Sequence, residues 1–285
     1  MSAKIISIIN NKGGVGKTTS TGILAELLAY LGKRVLCVDL DQQSNLSMMF
    51  KAYIEDSEDV INGIEQPQDK NIAELFKYRY RTPEDVKSLI KNTPVKNLDI
   101  IPSSKRHKHT QVTITTNETG NNNIILKKAL ATIKDDYDYI LIDNAPASDV
   151  LTVNSMFTSD YILTPVRVEA FSYKGLRETL DSIAYIKEEH DLDTVNFLGC
   201  FITQAELNTN IFRDLKKEYT KSLGDKFFQT PIRKDISIAE IETDFRPILE
   251  YNANSNVVFD YGQLLLEFNI LDENSKNVLK QSLGL

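Results

Sequence analysis

Short runs of apolar residues alternate with longer stretches of helical periodicity along most of the chain. The short runs predict strands at residues 4–10, 34–39, 98–102, 139–143, 161–166, 196–203 and 226–230. Several of them are almost continuous in Val, Ile and Leu, which is typical of strands covered by helices on both faces.

Helical stretches separate these strands. One face of the predicted first helix carries an apolar stripe made of Ile23, Leu24, Leu27, Leu28 and Leu31. Gly32 marks the end of that helix. Further helices are predicted at residues 124–133, 175–189 and 211–223, and the polar residues 115–123 predict a mobile loop.

This alternation predicts the fold class. Because strands that alternate with helices form right-handed crossovers, we expect an α/β fold with a mostly parallel, twisted sheet of about seven or eight strands, flanked by helices. No flexible linker divides the sequence, so a single domain over residues 1–285 is predicted.

Composition excludes several classes of protein. The chain has 285 residues, of which 41% are apolar and 26% are charged, so it is neither disordered nor fibrous. No apolar run approaches the ~18 residues of a membrane span, and the first residues lack the shape of a signal peptide. Cys37 and Cys200 each lie inside an apolar run, which predicts no disulfide framework and no metal cluster. We expect a cytoplasmic protein without a membrane partner.

Charge is unevenly distributed on this acidic chain, whose formal net charge is -7. Residues 77–108 and residues 213–234 are both rich in Lys and Arg. The ordinary interpretation of such a segment is a solvated surface, and a binding surface for a polyanion is the alternative. His107 and His109 lie in the first basic segment, where we expect them to be exposed and without a ligand role.

The connection between the first strand and the first helix carries a phosphate-binding motif. Its sequence is Asn11-Lys12-Gly13-Gly14-Val15-Gly16-Lys17-Thr18-Thr19. The glycines let backbone N–H groups turn toward phosphate oxygens, and the following helix N-terminus adds positive potential. Lys17 can reach the β- and γ-phosphates, and the Thr18 hydroxyl can ligate Mg²⁺. Asn11 stands where the general pattern has its first Gly.

Lys12 adds a second lysine to this loop, and in that respect the loop resembles the deviant Walker A motif shared by ParA, MinD, the nitrogenase iron protein and the arsenite-pump ATPase. The chain resembles the ParA/Soj branch over nearly its whole length. The resemblance implies a P-loop NTPase that uses ATP and Mg²⁺ and hydrolyses ATP. It also implies an ATP-dependent sandwich homodimer in which Lys12 contacts the partner's phosphates.

Two acidic motifs support the resemblance. Residues 38–45, VDLDQQSN, resemble the family's D-x-D-P-Q-G-N motif, with Gln42 and Ser44 in place of Pro and Gly. By this resemblance Asp41 positions the attacking water, and Asp39 lies near the metal. Residues 137–146 resemble a second motif, an apolar strand followed by D-x-P-P, which implies that Asp143 holds Mg²⁺ through water.

Two later segments also resemble the family. Residues 163–169, LTPVRVE, followed by Gly175-Leu176, are similar to its I-P-x-x-x-E…G-L run. Residues 230–234, TPIRK, are similar to the segment that packs on the base, which assigns Pro231 and Ile232 to adenine. The cysteine clusters of nitrogenase-like and arsenite-pump proteins are missing. The tail after Phe268 is also a poor membrane anchor of the MinD type.

The ParA branch implies DNA segregation for a plasmid or a chromosome, and the length and layout resemble the Delta-type ATPases of Gram-positive plasmids. Nonspecific DNA binding requires cations, for which the candidates are Arg213, Lys216, Lys217, Lys221, Arg233 and Lys234. Ser237 occupies a position where the family often has an arginine. No helix-turn-helix segment precedes the first strand, so site recognition is assigned to a small adaptor of the ParB-like or ribbon-helix-helix type. We therefore expect a nucleoid-associated protein.

Two other functions remain open at this point. One is a metabolic ligase or synthetase on the same scaffold, such as a dethiobiotin-synthetase-like enzyme or an amidoligase. The other is a MinD-like positioning ATPase. ATP-dependent binding to nonspecific duplex DNA separates the segregation ATPase from the ligase.

Overall fold

Seven strands form one sheet in this computed structural model, which describes residues 2–62, 64–65, 67–116, 121–147, 149–168, 172–189 and 195–285. The strands are β1 (Lys4–Ile8), β2 (Val35–Asp39), β3 (Lys91–Asn92), β4 (Leu98–Ile101), β5 (Tyr139–Asp143), β6 (Tyr161–Arg167) and β7 (Asn196–Thr203). Their order is β3-β4-β2-β5-β1-β6-β7, and every ladder is parallel except β3–β4. The predicted α/β class and mostly parallel sheet are confirmed.

Helices of very different length connect the strands. Those before β5 are α1 (Lys17–Tyr30), α2 (Asn45–Met49), α3 (Glu58–Ile61), α4 (Ile72–Tyr78), α5 (Pro83–Lys87), α6 (Thr110–Thr116) and α7 (Ile125–Leu130). Those after β5 are α8 (Val150–Thr158), α9 (Ser172–Glu189), α10 (Asn210–Leu223), α11 (Ile236–Asp244), α12 (Ile248–Asn252), α13 (Asn256–Glu267) and α14 (Glu273–Leu283). Single 3₁₀ turns lie at Lys105–His109, Asn122–Ile124, Lys134–Asp136 and Gly224–Lys226.

Three local predictions were wrong. Residues 226–230 form no strand: they make one isolated parallel bridge to β7, between Cys200 and Phe227, because the N–H groups of Gln229 and Thr230 donate to the Glu267 carboxylate instead of to β7. The two-residue antiparallel β3 was missed, since polar Lys and Asn give no strand signal. In the predicted loop 115–123, helix α6 extends to Thr116 and a 3₁₀ turn begins at Asn122, while residues 117–120 lie outside the described residues, as does Glu169.

The sheet is covered on both faces. On one face, α1 and α13 pack over strand residues that include Ile8, Cys37 and Leu141. On the other face, α4 and α7 pack over Val38 and Ile142. The ladder pairs Ile142 with Ser7, Ser7 with Ile162, Thr164 with Cys200 and Val166 with Ile202, so these residues point to the same side. Helix α10, which contacts Cys200 and Ile202, therefore lies on the same face as α4 and α7.

A buried carboxylate joins α1 to the C-terminal helices. Glu26 is fully buried in α1, and its two oxygens accept the N–H groups of Ile248 and Leu249 at 2.9 and 3.0 Å. These N–H groups belong to the first turn of α12, whose N-cap makes no side-chain hydrogen bond of its own. Burial raises the pKa of Glu26 to about 7. The first helix thus supplies the cap of a helix more than two hundred residues away.

A second buried cluster uses a residue of the first basic segment. The Arg106 guanidinium contacts Asp56 Oδ1 at 2.9 Å and Glu74 Oε1, and all three side chains are buried. Its Nη2 also donates to the Asp69 carbonyl oxygen. Asp56, which precedes α3, and Glu74 of α4 therefore neutralise Arg106 inside the protein.

The prediction that His107 is exposed was also wrong. The imidazole is buried, not exposed, and its Nδ1 lies 3.0 Å from Thr110 Oγ1. Its ring lies 6.0 Å from that of Phe76. Burial lowers the pKa of His107 to about 4, which keeps the ring neutral at physiological pH. His109 is exposed, as predicted.

Replacing Arg106 by Met should lower the free energy of unfolding by about 3–5 kcal/mol, because Asp56 and Glu74 would remain buried without a counter-charge. Chemical denaturation followed by circular dichroism measures the change. The control is Lys105→Met, which alters an exposed neighbour in the same turn. Equal stability of the two variants would contradict the assignment of Arg106 to a structural cluster.

Candidate functional site

A cleft of about 360 Å³ opens at the carboxyl ends of the central strands. Its described lining is Gly13, Gly14, Gly16, Lys17, Thr18, Thr19, Asp41, Asn45, Met49, Pro146, Gln204, Ile241, Glu242 and Phe245. Open parallel sheets bind ligands at this edge. The phosphate loop and Asp41, which lie far apart in sequence, meet in one site.

The loop backbone is arranged to receive an anion. Gly14 and Gly16 have φ values of 71° and 82°, a left-handed conformation that glycine adopts without strain. Helix α1 begins directly after Gly16, and its N-cap makes no side-chain hydrogen bond. The first N–H groups of α1 therefore retain their donor capacity and their positive potential for a phosphate.

Lys17 is the one cation among the described residues that line the cleft. Its side chain is only 6% exposed, and its Nζ donates to the Lys12 carbonyl oxygen at 3.1 Å. Burial lowers the pKa of Lys17, while the nearby charges of Asp143 and Asp41 raise it. The ammonium group is thus held in the loop next to the predicted phosphate position.

Asp143 and Thr18 are in direct contact. Thr18 Oγ1 donates to Asp143 Oδ2 at 2.7 Å, and Thr21 Oγ1 lies 3.4 Å from the other carboxylate oxygen. Asp143 is fully buried and is the ladder neighbour of Asp39. Burial, with the charge of Asp39 next in size, raises the pKa of Asp143 well above its usual range.

Asp39 faces the protein and not the cleft. Its Oδ2 accepts from the N–H and the hydroxyl of Ser47 at 3.0 and 2.7 Å, and its Oδ1 accepts from the Asp41 N–H at 3.0 Å. Burial raises the pKa of Asp39 to about 7. These hydrogen bonds fix the turn that follows β2, in which Asp41 Oδ1 accepts from the Gln43 N–H at 2.9 Å. Asp39 therefore positions Asp41, which lines the cleft.

The residues present fit a magnesium ion that arrives with a nucleotide. No group of three or more His, Cys, Asp or Glu side chains capable of holding a metal occurs in the described part of the chain. A cation would instead depend on the Thr18 hydroxyl, the Asp143 carboxylate and phosphate oxygens. Magnesium is commonly bound in this way, through few protein oxygens together with phosphate and water. The close approach of two buried carboxylates also favours an added positive charge.

Lys12 is partly exposed, and its carbonyl oxygen accepts from Nζ of the cleft residue Lys17. Its N–H donates to Asn10 Oδ1 at 2.9 Å, and the Asn10 amide donates to the Pro165 carbonyl oxygen at 2.8 Å. Asn10 was not predicted as a site residue, although a polar residue at the carboxyl end of the predicted strand 4–10 is a recognisable signal. Asn10 ties the position of Lys12 to the end of β6.

The far end of the cleft differs from the prediction. Ile232 is fully buried, and its N–H pairs with the Ile202 carbonyl oxygen, so the structure does not support a direct contact between Ile232 and a base. Pro231 is partly exposed and is not among the lining residues. Helix α11 and the residue after it line this end of the cleft instead, through Ile241, Glu242 and Phe245.

Glu242 also contacts the phosphate loop. Thr19 Oγ1 donates to Glu242 Oε1 at 2.6 Å. A phosphate at the N-terminus of α1 would compete with this carboxylate for the Thr19 hydroxyl. Gln204 was missed as well: it follows β7 directly, and its side-chain amide donates to the Gly14 carbonyl oxygen at 3.2 Å. Nothing in the pattern around Glu242 distinguishes it from other surface acids, whereas Gln204 lies at a strand end.

The candidate DNA residues fall into two groups. Arg213, Lys217 and Lys221 are exposed on α10 and Lys216 is partly exposed, and together they surround Phe212 on an open surface. Arg233, by contrast, forms a two-point ion pair with Asp260, in which Nη2 lies 2.6 Å from Oδ1 and Nε lies 2.9 Å from Oδ2. Lys234 pairs with Glu206 at 2.9 Å. The basic stripe predicted on α10 therefore exists, while Arg233 and Lys234 are engaged within the protein.

No helix among the described residues combines the length and the apolar character needed to cross a membrane.

The sequence matches known proteins over most of its length. A family model described as an AAA domain matches residues 3–195. The chain is 33% identical to the sporulation initiation inhibitor protein Soj of Bacillus subtilis, over 88% of this chain and 92% of that one. It is 30% identical to the chromosome-partitioning ATPase Soj of Treponema pallidum, over 93% and 96%.

Solved structures agree with these relatives. A plasmid partition protein of Borrelia burgdorferi bound to AMPPNP has 26% identity and a TM-score of 0.71, covering 94% of this chain and 98% of that one. Apo McdA of Cyanothece superposes with a TM-score of 0.78 over 93% and 99%, and its 19% identity shows the fold alone. The predicted resemblance is confirmed: the chain belongs to the ParA/MinD family of partition ATPases, with Soj among its relatives.

Proposed function

We propose that this chain is an ATP-dependent DNA segregation ATPase whose ATP-bound sandwich dimer binds DNA without sequence preference. The observation that carries the proposal is the pair of lysines in one loop. Lys17 is buried in the cleft, while Lys12 belongs to the same loop and is partly exposed. One cation is placed to bind nucleotide within the subunit, and the other is placed to act across an interface.

In this proposal each residue has a separate task. Lys17 neutralises the β- and γ-phosphates, and the N–H groups of the loop bind their oxygens. Magnesium, held by Thr18 and Asp143, would offset developing negative charge on the phosphates. Asp41, which the hydrogen bonds of Asp39 and Gln43 orient, positions the attacking water.

Lys12 couples ATP to association. A second cation on the triphosphate adds stabilisation only when two subunits face each other, so ATP favours the dimer. Hydrolysis removes the γ-phosphate and with it much of the negative charge that holds the interface together. The dimer then opens and releases DNA.

The cations of α10 supply the proposed DNA contact, because three of them are exposed, Lys216 is partly exposed, and none forms an ion pair with a described carboxylate. A small adaptor, ParB-like or of the ribbon-helix-helix type, would select the site and stimulate hydrolysis. The protein would then be cytoplasmic and associated with the nucleoid. Membership of the Delta-type subgroup and a single domain over residues 1–285 remain predictions.

The proposed function is tested by a gel shift on nonspecific duplex DNA with ATP, with ADP and without nucleotide. We expect binding with ATP and a loss of at least tenfold in affinity without it. Neutralising Arg213, Lys217 and Lys221 with Gln should weaken binding and make its salt dependence shallower, by about 0.9 in the log–log slope for each phosphate that these side chains neutralise. Absence of DNA binding in every nucleotide state, together with ATP-dependent ligation of a small carboxylate, would favour a metabolic ligase.

Asp41→Ala should reduce turnover by about 10²-fold or more while ATP affinity stays nearly unchanged, since positioning water acts in the transition state. Asp41→Asn is the matched control for the loop, because its side-chain oxygen can still accept the Gln43 N–H. Steady-state phosphate release and calorimetric ATP titration separate rate from affinity. If affinity falls in step with rate in both variants, Asp41 is a binding residue or a structural one.

Lys12→Ala should leave ATP binding by the monomer measurable, because Lys17, Thr18 and the loop amides remain. Turnover should fall by about 10²-fold, the typical effect of losing one transition-state donor. Lys51→Ala, which removes a lysine at an exposed site away from the loop, is the control. Normal ATP hydrolysis by the Lys12 variant would refute the sandwich mechanism.

A further inference from the structure

The Lys and Arg side chains of this protein fall into two groups, those that form an ion pair with a carboxylate and those that do not. Many of them lie within 4 Å of a carboxylate, including Lys33, Arg34, Lys51, Lys87, Lys91, Arg177 and Lys276. Others form no ion pair with a carboxylate in the described part of the chain. Four of these are on α10, where the proposed function uses them.

A second group of such cations surrounds α4 and α7. We name it the α4–α7 basic surface, and its members are Lys70, Lys77, Arg79, Arg81, Lys127 and Lys128. Helix α7 exposes Lys127 and Lys128 while it buries Leu126 and Ala129. Arg79, just after α4, reaches the turn that precedes α7 and donates from Nη2 to Asn122 Oδ1 at 2.7 Å. The cations of the two helices therefore belong to one continuous surface.

Two tyrosines organise part of this surface. The rings of Tyr78 and Tyr80 stack at a centroid distance of 5.9 Å with an interplanar angle of 18°. Lys77 Nζ lies 5.0 Å from the centre of the Tyr78 ring, and Lys70 Nζ lies 5.6 Å from that of Tyr80. Because an aromatic face attracts an ammonium group, each ring helps to position one of these exposed lysines at the surface. Arg79 is partly buried, and its buried Nε has no hydrogen-bond partner among the described residues.

The α4–α7 basic surface and α10 lie on one face of the sheet. Helices α4 and α7 pack on the same face of the sheet as α10, but toward its other edge. Four strand spacings separate β2 from β7, which corresponds to about 19 Å at the usual distance between strands. A single face of an acidic protein thus presents two basic surfaces, one toward each edge.

We propose that the α4–α7 basic surface is a second DNA-contacting surface, which binds phosphate groups independently of α10. Charge complementarity carries the assignment: on a protein of net charge -7, a cluster of cations with no carboxylate partner among the described residues matches a polyanion. The surface needs only phosphates as its ligand, so no sequence preference is expected. The inference rests on DNA binding in the proposed function and extends it to a site of its own.

The test is the salt dependence of DNA binding by the full chain with a nonhydrolysable ATP analogue. The variant changes Lys77, Arg81, Lys127 and Lys128 to Gln. If all four contact phosphates, the log–log slope should become shallower by about 3.6, at 0.9 for each phosphate, and a decrease of at least 1 supports the proposal. Changing the three lysines to Arg should retain the wild-type slope, because the charge is retained.

The control variant changes Lys33, Lys51, Lys276 and Lys280 to Gln. It removes the same net charge around α12 and α14, and α14 packs on the opposite face of the sheet. Equal slopes for the test and control variants would overturn the proposal. A test variant that keeps the wild-type slope and loses only its stimulation by an acidic protein partner would overturn it as well, because the surface would then bind a protein and not DNA. The proposed function fails separately, if wild type binds no DNA in any nucleotide state or if neutralising α10 changes neither the affinity nor the slope.

Discussion

Two fully buried carboxylates lie side by side at the carboxyl ends of β2 and β5, and the rest of the site depends on how their charge is satisfied. Burial raises the pKa of both Asp39 and Asp143. Asp39 is satisfied by donors from its own loop, and that arrangement orients Asp41. Asp143 is satisfied by the Thr18 hydroxyl. The phosphate loop and the two acidic strand ends are therefore linked before any nucleotide binds.

This linkage bears on the different tasks that the proposed function gives to the two lysines. Lys17 is buried near Asp143 and Asp41, so it is positioned to bind phosphate within its own subunit. Its burial keeps its ammonium group away from a second subunit. In the proposed function the γ-phosphate adds negative charge to which Lys12, partly exposed in the same loop, responds across the dimer interface. Glu242 adds a further carboxylate at Thr19, which ties α11 to the state of the loop. Nucleotide binding would thus change the charge near Lys12 at the subunit surface and the hydrogen bond between Thr19 and Glu242 of α11.

Much of this site could be predicted from sequence because its signals are local. Strand, glycine loop, Lys17 and Thr18 are contiguous, and Asp143 follows an apolar run that forms β5 with the predicted bounds. The remainder depends on long-range contacts. Arg233 has the sequence character of a DNA-binding residue, but it pairs with Asp260, 27 positions later. His107 is polar in sequence, but its ring packs near Phe76, and Glu242 reaches Thr19 only because α11 packs on α2. Neither periodicity nor charge patterning reports such pairings.

The central claim is that the γ-phosphate, and not nucleotide binding as such, closes two subunits on each other. Sedimentation velocity of the wild-type chain tests it most directly, in the absence of nucleotide, with ADP and with a nonhydrolysable ATP analogue, each with Mg²⁺. The account predicts a monomer in the first two conditions and a dimer in the third. A dimer of equal strength with ADP, or a monomer in all three conditions despite saturating nucleotide, would contradict it.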